Sequence, residues 1–409
     1  MNAVITGRGL ITPLGNGLLE NERALEEGRT GTVFMPEWKE ANLESHVAGR
    51  SDNNPECPLI DKKIARFTTP GGKMAVAAAY EAVMEAGFGI DGLRGKKVAV
   101  VLGNGGSTFI HVHEGGVILK NTGKVKRVTP FIVPRSMNSS ATANISLSLG
   151  LTGETYSISS ACASGSHAIM LATRLIRDGL YDIVITGGSE EANWLNALGF
   201  DAMKALSRKY NATPERASRP FDKERDGFVL AEGAGILVLE SNEHAEGRGA
   251  RQIARVSGIA ANSNATDMVV PDSDSARDVM AEAIADAGLA SRDIDYINTH
   301  GTATPVGDPV EMRAVKELLG DHAGNAFVNS TKSQTGHMIG ATGAVETIFC
   351  TQMLDKGFVS PTANLENPED ELSWANLPTE RVSAPEMRHA LNNSFGFGGT
   401  NVALVVSKP

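Results

Sequence analysis

The feature that most limits this chain is the order of its apolar runs. Residues 3–6, 97–102, 156–160 and 181–186 are strand-sized, and three of these runs lead into glycine, at Gly7, Gly103 and Gly187. Between them lie helical stretches, 73–86 and 163–177, stopped by Gly87 and Gly179. Such alternation predicts an α/β fold. A second series follows in the same order. Ala254-Arg255-Val256-Ser257-Gly258 echoes Ala3-Val4-Ile5-Thr6-Gly7, and 276–287 echoes the Ala-rich helix, also ending in Ala-Gly. Residues 295–299 correspond to 98–102, and 327–330 precede a helix as 156–160 do. The run 404–407 closes the chain after Gly398-Gly399. The offsets fall from roughly 250 to 175 residues, as two related halves would give. We expect these halves at 1–250 and 251–409, with the break in Glu246-Gly247-Arg248-Gly249-Ala250. The plainer alternative is that α/β chains reuse such elements freely. The first half carries an insertion, about 107–150, with no clear periodicity.

Charge narrows the function classes. Lysine plus arginine number 38 and aspartate plus glutamate 48, so the formal net charge is 38 − 48 = −10. A long basic nucleic-acid face is not expected, although a local basic patch remains open. The N-terminus lacks a charged segment followed by an apolar run, and no window approaches the ~20 apolar residues of a membrane span. Cys57, Cys162 and Cys350 are too widely spaced for a disulfide framework or a zinc knuckle, which points to a reducing cytoplasm. Glycine is in excess, 44 of 409 residues, about 11% against a usual ~7%. Its short clusters after apolar runs suit tight turns and close backbone approach at a site.

Three positions stand out as chemistry. Cys162 follows a strand-like run and opens a helix among Ala161, Ala163, Ser164 and Gly165. A thiol at a helix start faces unpaired N–H groups and the positive end of the dipole, which favours its thiolate. Strand, nucleophile and helix in a sharp turn form a nucleophile elbow; an inert buried cysteine is the alternative. His300 follows the strand at 295–299, and His337 lies at an expected helix start, the counterpart of that at Cys162. If the halves pack about a pseudo-twofold axis, Cys162 and His337 meet near it. Both histidines sit among small residues, where a neutral imidazole can donate a hydrogen bond to a carbonyl that becomes negative. Lys332, five residues before His337, needs a carboxylate in such surroundings, and Glu346 or Glu311 can supply it. A structural ion pair and a catalytic one are equally compatible with that spacing.

Other signals are weaker. His111-Val112-His113-Glu114 suggests metal ligands, but in a strand the two histidines share a face without further placed ligands, so no metal site is expected. Glycines at 103–107 and 396–400 match neither dinucleotide nor P-loop spacing. Phe395-Gly396-Phe397-Gly398-Gly399 suits either a mobile loop over an apolar site or an ordinary glycine-rich turn. Basic residues gather at Lys62, Lys63 and Arg66, and at Lys120, Lys124, Lys126 and Arg127. They form either solvated faces or a dock for an acidic partner.

The constellation resembles the β-ketoacyl-[acyl-carrier-protein] synthases, in their elongating Cys-His-His branch. The segments that carry this are Ser159 to Ala163, Thr299 to Asp308, Ser330 to His337 and Asn393 to Asn401, and the likeness extends along essentially the whole chain. Tyr156 to Ser160, Phe200 to Met203, Lys209 to Asn211, Arg225 to Val229 and Asp267 to Val269 are more similar to the type I synthase than to type II. The resemblance implies a thiolase-like fold of two halves in five α-β-α-β-α layers, commonly a homodimer. It implies that Cys162 takes an acyl chain from acyl-carrier protein, with the N–H groups of Cys162 and Phe397 as the oxyanion hole. His300 and His337 would hold the malonyl thioester carbonyl during decarboxylation, and Lys332 with Glu346 would set their electrostatics. Thr302 and Thr304 would bind the pantetheine arm, and Phe395 and Phe397 would gate the acyl pocket. Lys62, Lys63, Arg66, Lys124 and Arg127 would dock the acidic carrier protein. No cofactor is implied. Two other readings stay open: a condensing enzyme of a specialised polyene or polyketide pathway, and a non-catalytic carrier-binding subunit.

Overall fold

Gly7 does not end the first strand. In the computed structural model, which describes residues 3–409, strand β1 runs from Ala3–Thr12 through Gly7 and Gly9. These glycines let a helix lie directly on the strand: a Cβ at Gly7 would sit 2.0 Å from the Ala82 carbonyl oxygen, and one at Gly9 1.9 Å from that of Ala78. That helix, α1 (Pro70–Glu85), starts at Pro70 because the Thr69 side chain accepts from the Gly72 N–H and proline tolerates the first turn. Gly258 repeats the arrangement, its Cβ position lying 2.0 Å from the Ala283 oxygen.

The first part of the chain continues with β2 (Ala99–Gly103), α2 (Ile110–Thr122), α3 (Ser140–Leu149), β3 (Thr155–Ile158), α4 (Ser164–Arg177), β4 (Ile183–Glu190) and β5 (Gly233–Ser241). Then come β6 (Ala254–Ser263), α5 (Ser273–Asp286), β7 (Tyr296–Asn298), α6 (Gly307–Leu319), β8 (Phe327–Asn329), α7 (Thr342–Lys356), β9 (His389–Gly396) and β10 (Thr400–Ser407). The ten strands hydrogen-bond in the order β8-β7-β9-β10-β6-β1-β5-β4-β2-β3. From the central antiparallel pair β1 and β6, each side adds two antiparallel neighbours and then two parallel ones.

Helices α4 and α7 touch strands of both arms of the sheet, so the arms sandwich them. Helices α1 and α3 cover one outer face, and α5 and α6 the other. This is the five-layer α-β-α-β-α arrangement implied above. The middle layer is the driest: every residue of α7 from Thr342 to Leu354 is buried, Cys350 included. Gly343 permits the close packing there, since a Cβ would lie 2.1 Å from Ser166 Oγ on α4.

The segment without readable periodicity is mostly helical. His111 and His113 lie on α2, not on a strand, and point to different neighbours. His111 Nε2 is 3.7 Å from a Glu191 carboxylate oxygen, and the His113 ring packs edge-on to Trp194. Val112, Val117, Ile118 and Leu119 of the same helix are exposed. None of the helices among the described residues is long and apolar enough to cross a membrane.

Candidate active site

Cys162 is presented by a strained turn. Strand β3 ends at Ile158, Ala161 takes a left-handed conformation (φ 48°), and α4 starts at Ser164. The Ser164 hydroxyl braces the turn, donating to the Ala161 carbonyl (2.6 Å) and accepting from the Ser160 N–H (2.9 Å). Gly103, at the end of β2, lets the first turn of α4 approach: a Cβ there would be 2.3 Å from both Gly165 N and the Ser164 carbonyl carbon. The thiol is buried, and burial pushes it up to about 12. Lys332 and the N–H groups of Phe397 and Cys162 itself pull the other way, and Glu190 adds to the rise. The helix start alone favours a thiolate; desolvation outweighs it, so the resting group is the thiol.

His300 sits two residues beyond β7. Its N–H and that of Gly301 each donate to one oxygen of Glu311 on α6 (2.8 Å each), and Asn393 Nδ2 donates to the same carboxylate (3.0 Å). Glu311 therefore anchors the His300 backbone and is not the partner of Lys332. His337 stands two residues before a 3-10 turn, Ile339–Ala341, that runs directly into α7, the same offset that Cys162 has from α4. It lies between the short helix Lys332–Thr335 and α7, fixed by its N–H donating to the Val229 carbonyl (2.7 Å) and by the Ala231 N–H donating to its own (2.9 Å). Its Nδ1 is 3.0 Å from Thr342 Oγ1, and its buried Nε2 has no hydrogen-bond partner among the described residues. The two imidazoles meet edge to face, centroids 5.3 Å apart at 88°.

Lys332 Nζ pairs with Glu346 Oε1 at 2.7 Å, both side chains 1% exposed, and lies 3.4 Å from the Thr299 carbonyl. Burial pushes Glu346 up to about 7, against the pull of Lys332. Both histidines are held well below the ordinary imidazole range, first by burial and then by the Lys332 charge. Those two causes hold the rings neutral. The ligand atoms of Cys162, His300 and His337 lie within 4.8 Å of one another. One sulfur and two imidazole nitrogens form a donor set that a thiophilic ion such as zinc could take, at the cost of occupying the thiol.

The three groups open into a cavity of about 310 Å³. Its walls are aromatic: Phe228 lies edge-on to His337 (5.5 Å), Phe395 beside His300 (5.9 Å), and Phe200 against Phe397 (6.4 Å). Thr302 and Thr304 line it with their hydroxyls 3.3 Å apart. The glycine-rich turn after Phe395 meets a second loop, Gly398 N–H donating to the Met268 carbonyl (2.8 Å) and Asn264 N–H to that of Gly399 (2.9 Å).

The basic residues are elsewhere. Lys62, Lys63, Arg66, Lys124 and Arg127 are all exposed. Phe67 packs on Phe131 (5.0 Å) and Arg135 Nε donates to the Arg66 carbonyl (3.0 Å), which joins the 62–67 segment to the 131–135 turn. Sequence reasoning missed Phe200, Phe228, Thr342 and Asn393 as site residues. Phe200, Phe228 and Asn393 stand within segments singled out above, so a signal existed; Thr342 is only five residues from His337, but lies outside those segments, and the contact of Asn393 with Glu311 is remote in sequence.

Known proteins match this picture. Residues 2–245 match the family described as "Beta-ketoacyl synthase, N-terminal domain" and 253–366 its C-terminal domain. The chain is 40% identical over 405 residues to 3-oxoacyl-[acyl-carrier-protein] synthase 1 of Haemophilus influenzae, covering 99% of this chain and 98% of that one. It is 38% identical over 410 residues to 3-oxoacyl-[acyl-carrier-protein] synthase 2 of Vibrio cholerae, with the same coverage. Among solved structures, a beta-ketoacyl synthase from Burkholderia phymatum superposes with a TM-score of 0.93 at 31% identity, over 100% of this chain and 99% of that one. A type II PKS ketosynthase solved with its acyl-carrier protein superposes at 0.90 with 29% identity and the same coverage.

Proposed function

Because this chain belongs to the β-ketoacyl synthase family, we propose that it performs a decarboxylating Claisen condensation in fatty acid elongation. Acyl-carrier protein and malonyl-carrier protein are the substrates; 3-oxoacyl-carrier protein and CO2 are the products. The observation that carries this is the convergence of Cys162, His300 and His337 on one apolar cavity.

The Cys162 sulfur attacks the acyl thioester, its proton leaving through a neutral imidazole to the departing carrier thiol. The Phe397 and Cys162 N–H groups, both close to that sulfur, take the negative oxygen. Malonyl-carrier protein then enters, and its thioester carbonyl accepts hydrogen bonds from His300 and His337. The bond to CO2 breaks and its electron pair forms the enolate. The enolate carbon attacks the Cys162 thioester, the new C–C bond forms, and the cysteine sulfur leaves. Loss of CO2 drives the step, so no cofactor is required. Burial, with the Lys332 charge second, keeps both rings uncharged, so each offers one N–H to the enolate oxygen and no net positive charge. Thr302 and Thr304 receive the pantetheine arm; Phe395 and Phe397 gate the acyl end.

Lys62, Lys63, Arg66, Lys124 and Arg127 dock the acidic carrier protein. A homodimer fits the exposed apolar residues of α2 and the terminal strand β3, which leaves one sheet edge unpaired among the described residues. We read 1–250 and 251–409 as related halves, the type I subtype from the segments named earlier, and a cytoplasmic setting from three unpaired cysteines. A specialised polyketide role is less favoured, because the curated 3-oxoacyl synthases are nearer in sequence than the polyketide ketosynthase. Cys162 argues against a non-catalytic subunit. The test is to mix acyl- and malonyl-carrier protein with the enzyme: 3-oxoacyl-carrier protein and CO2 should appear in equal amounts, and absence of the product would contradict the reading.

A further inference from the structure

The wall that bears Thr302 and Thr304 is thin. Behind it lies a second cavity of about 480 Å³, lined by Phe221, Arg225, Met312, Lys316 and Trp374 among others. Pro305 and Asp308 line both cavities. Packing therefore does little to hold the Pro305 end of the 302–305 loop from its outer side, although Ala303 is buried. The loop also contains Ala303 at φ 67°, a conformation that persists only where surroundings over-determine it.

Polar contacts supply the missing support. Asp308 accepts from the Ala303 N–H (3.1 Å) and the Phe221 N–H (3.0 Å), and the Gly227 N–H donates to the Ala303 carbonyl (3.2 Å). Arg225 does most of the remaining work. Its Nε donates to the Thr304 carbonyl (3.1 Å) and its Nη2 to the Pro305 carbonyl (3.3 Å). Its Nη1 donates to the Asp222 carbonyl (2.8 Å) and pairs with Glu369 (2.7 Å). Asp222 is itself fixed, accepting the Glu366 and Asn367 N–H groups (2.9 and 2.7 Å). A planar guanidinium can reach these acceptors at once; an ammonium on a flexible stem cannot.

We propose that Arg225 is a positioning residue for the carrier arm, clamping the Thr302–Pro305 backbone so that Thr302 and Thr304 face the pantetheine. This rests on the reading that those threonines receive the arm. It predicts a defect that scales with how much of the arm the substrate carries.

The experiment compares wild type, Arg225→Lys and Glu369→Gln on two substrates: acyl-carrier protein, and the acyl thioester of N-acetylcysteamine, which lacks most of the arm. Arg225→Lys should raise KM for the carrier substrate about tenfold or more. It should leave the truncated thioester within about twofold, and the rate of Cys162 alkylation by iodoacetamide unchanged. Glu369→Gln, on a half-buried partner, should shift KM the same way by less. An unchanged KM in both variants, or an equal loss on both substrates, overturns the proposal. Wild type that fails to acylate Cys162 with either substrate would instead overturn the underlying functional reading.

Discussion

Gly103→Ala places a methyl where the first turn of α4 now sits. The new Cβ would lie 2.3 Å from Gly165 N and from the Ser164 carbonyl carbon, and 2.5 Å from the Ser164 oxygen. Ordinary contact needs about 3.5 Å, so backbone must yield by roughly 1 Å. These atoms belong to the turn that presents Cys162, and a misplacement of about 1 Å at a reacting centre costs on the order of 100-fold in rate. Overpacking of this kind costs about 1–3 kcal/mol. With an unfolding entropy of about 2.1 cal/mol/K per residue, 409 residues give roughly 0.9 kcal/mol/K, so Tm should fall by only about 1–4 °C. The expected signature is a large kinetic loss with a small thermal one. Single-turnover acylation of Cys162, read by intact mass beside a melting curve, measures both. Gly116→Ala is the control, because nothing lies within 4 Å of a Cβ there; it should acylate normally. Wild-type acylation by Gly103→Ala would refute the claim that this contact sets the position of the nucleophile.

Three further outcomes are expected. Because His300 and His337 are both depressed well below 6.5, they begin to charge only at pH well under that value. Malonyl decarboxylation by Glu346→Gln, which removes the carboxyl group near 7, should therefore stay flat from pH 8 to 6, and an inflection near 6.5 would contradict the assignment. With the Cys162 thiol near 12, the thiolate fraction rises about tenfold per pH unit. Iodoacetamide alkylation should climb accordingly from pH 6 to 9; a plateau between 7 and 8 would mean the helix start prevails over burial. Reversing Lys62, Lys63 and Arg66 to glutamate should raise the carrier-protein KM and blunt its salt dependence, while N-acetylcysteamine thioesters react as before. Unchanged carrier kinetics would place the dock elsewhere.

What could be read from residues alone was whatever is encoded locally. Cys162 among small neighbours between a strand and a helix was legible, because the turn itself demands those sizes. The succession of strands is legible through their glycines, yet the same signal misleads at Gly7, Gly187 and Gly258, which all lie inside strands. A glycine that admits a helix at 2.0 Å looks identical in sequence to one that ends a strand. His111 and His113 read as strand residues but lie on a helix, because a short apolar run carries no reliable period. Spacing leaves Glu346 and Glu311 as equal partners for Lys332; the fold puts Glu346 2.7 Å away and sets Glu311 on the His300 backbone. The neutrality of His337 is expected from the helix start that follows it; burial and the Lys332 charge are further causes that no spacing reveals. Arg225 was visible only as part of a resemblance, since its acceptors at 304 and 305 are remote in sequence.

Cys162 alone carries the acyl chain, and condensation runs through it. Intact-mass measurement of wild type, Cys57→Ala, Cys162→Ala and Cys350→Ala after incubation with acyl-carrier protein tests it most directly, with malonyl-carrier protein then added to each. An acyl adduct is expected on every protein except Cys162→Ala, and 3-oxoacyl product from the other three. An acyl adduct on Cys162→Ala that is converted to product when malonyl-carrier protein arrives would contradict it.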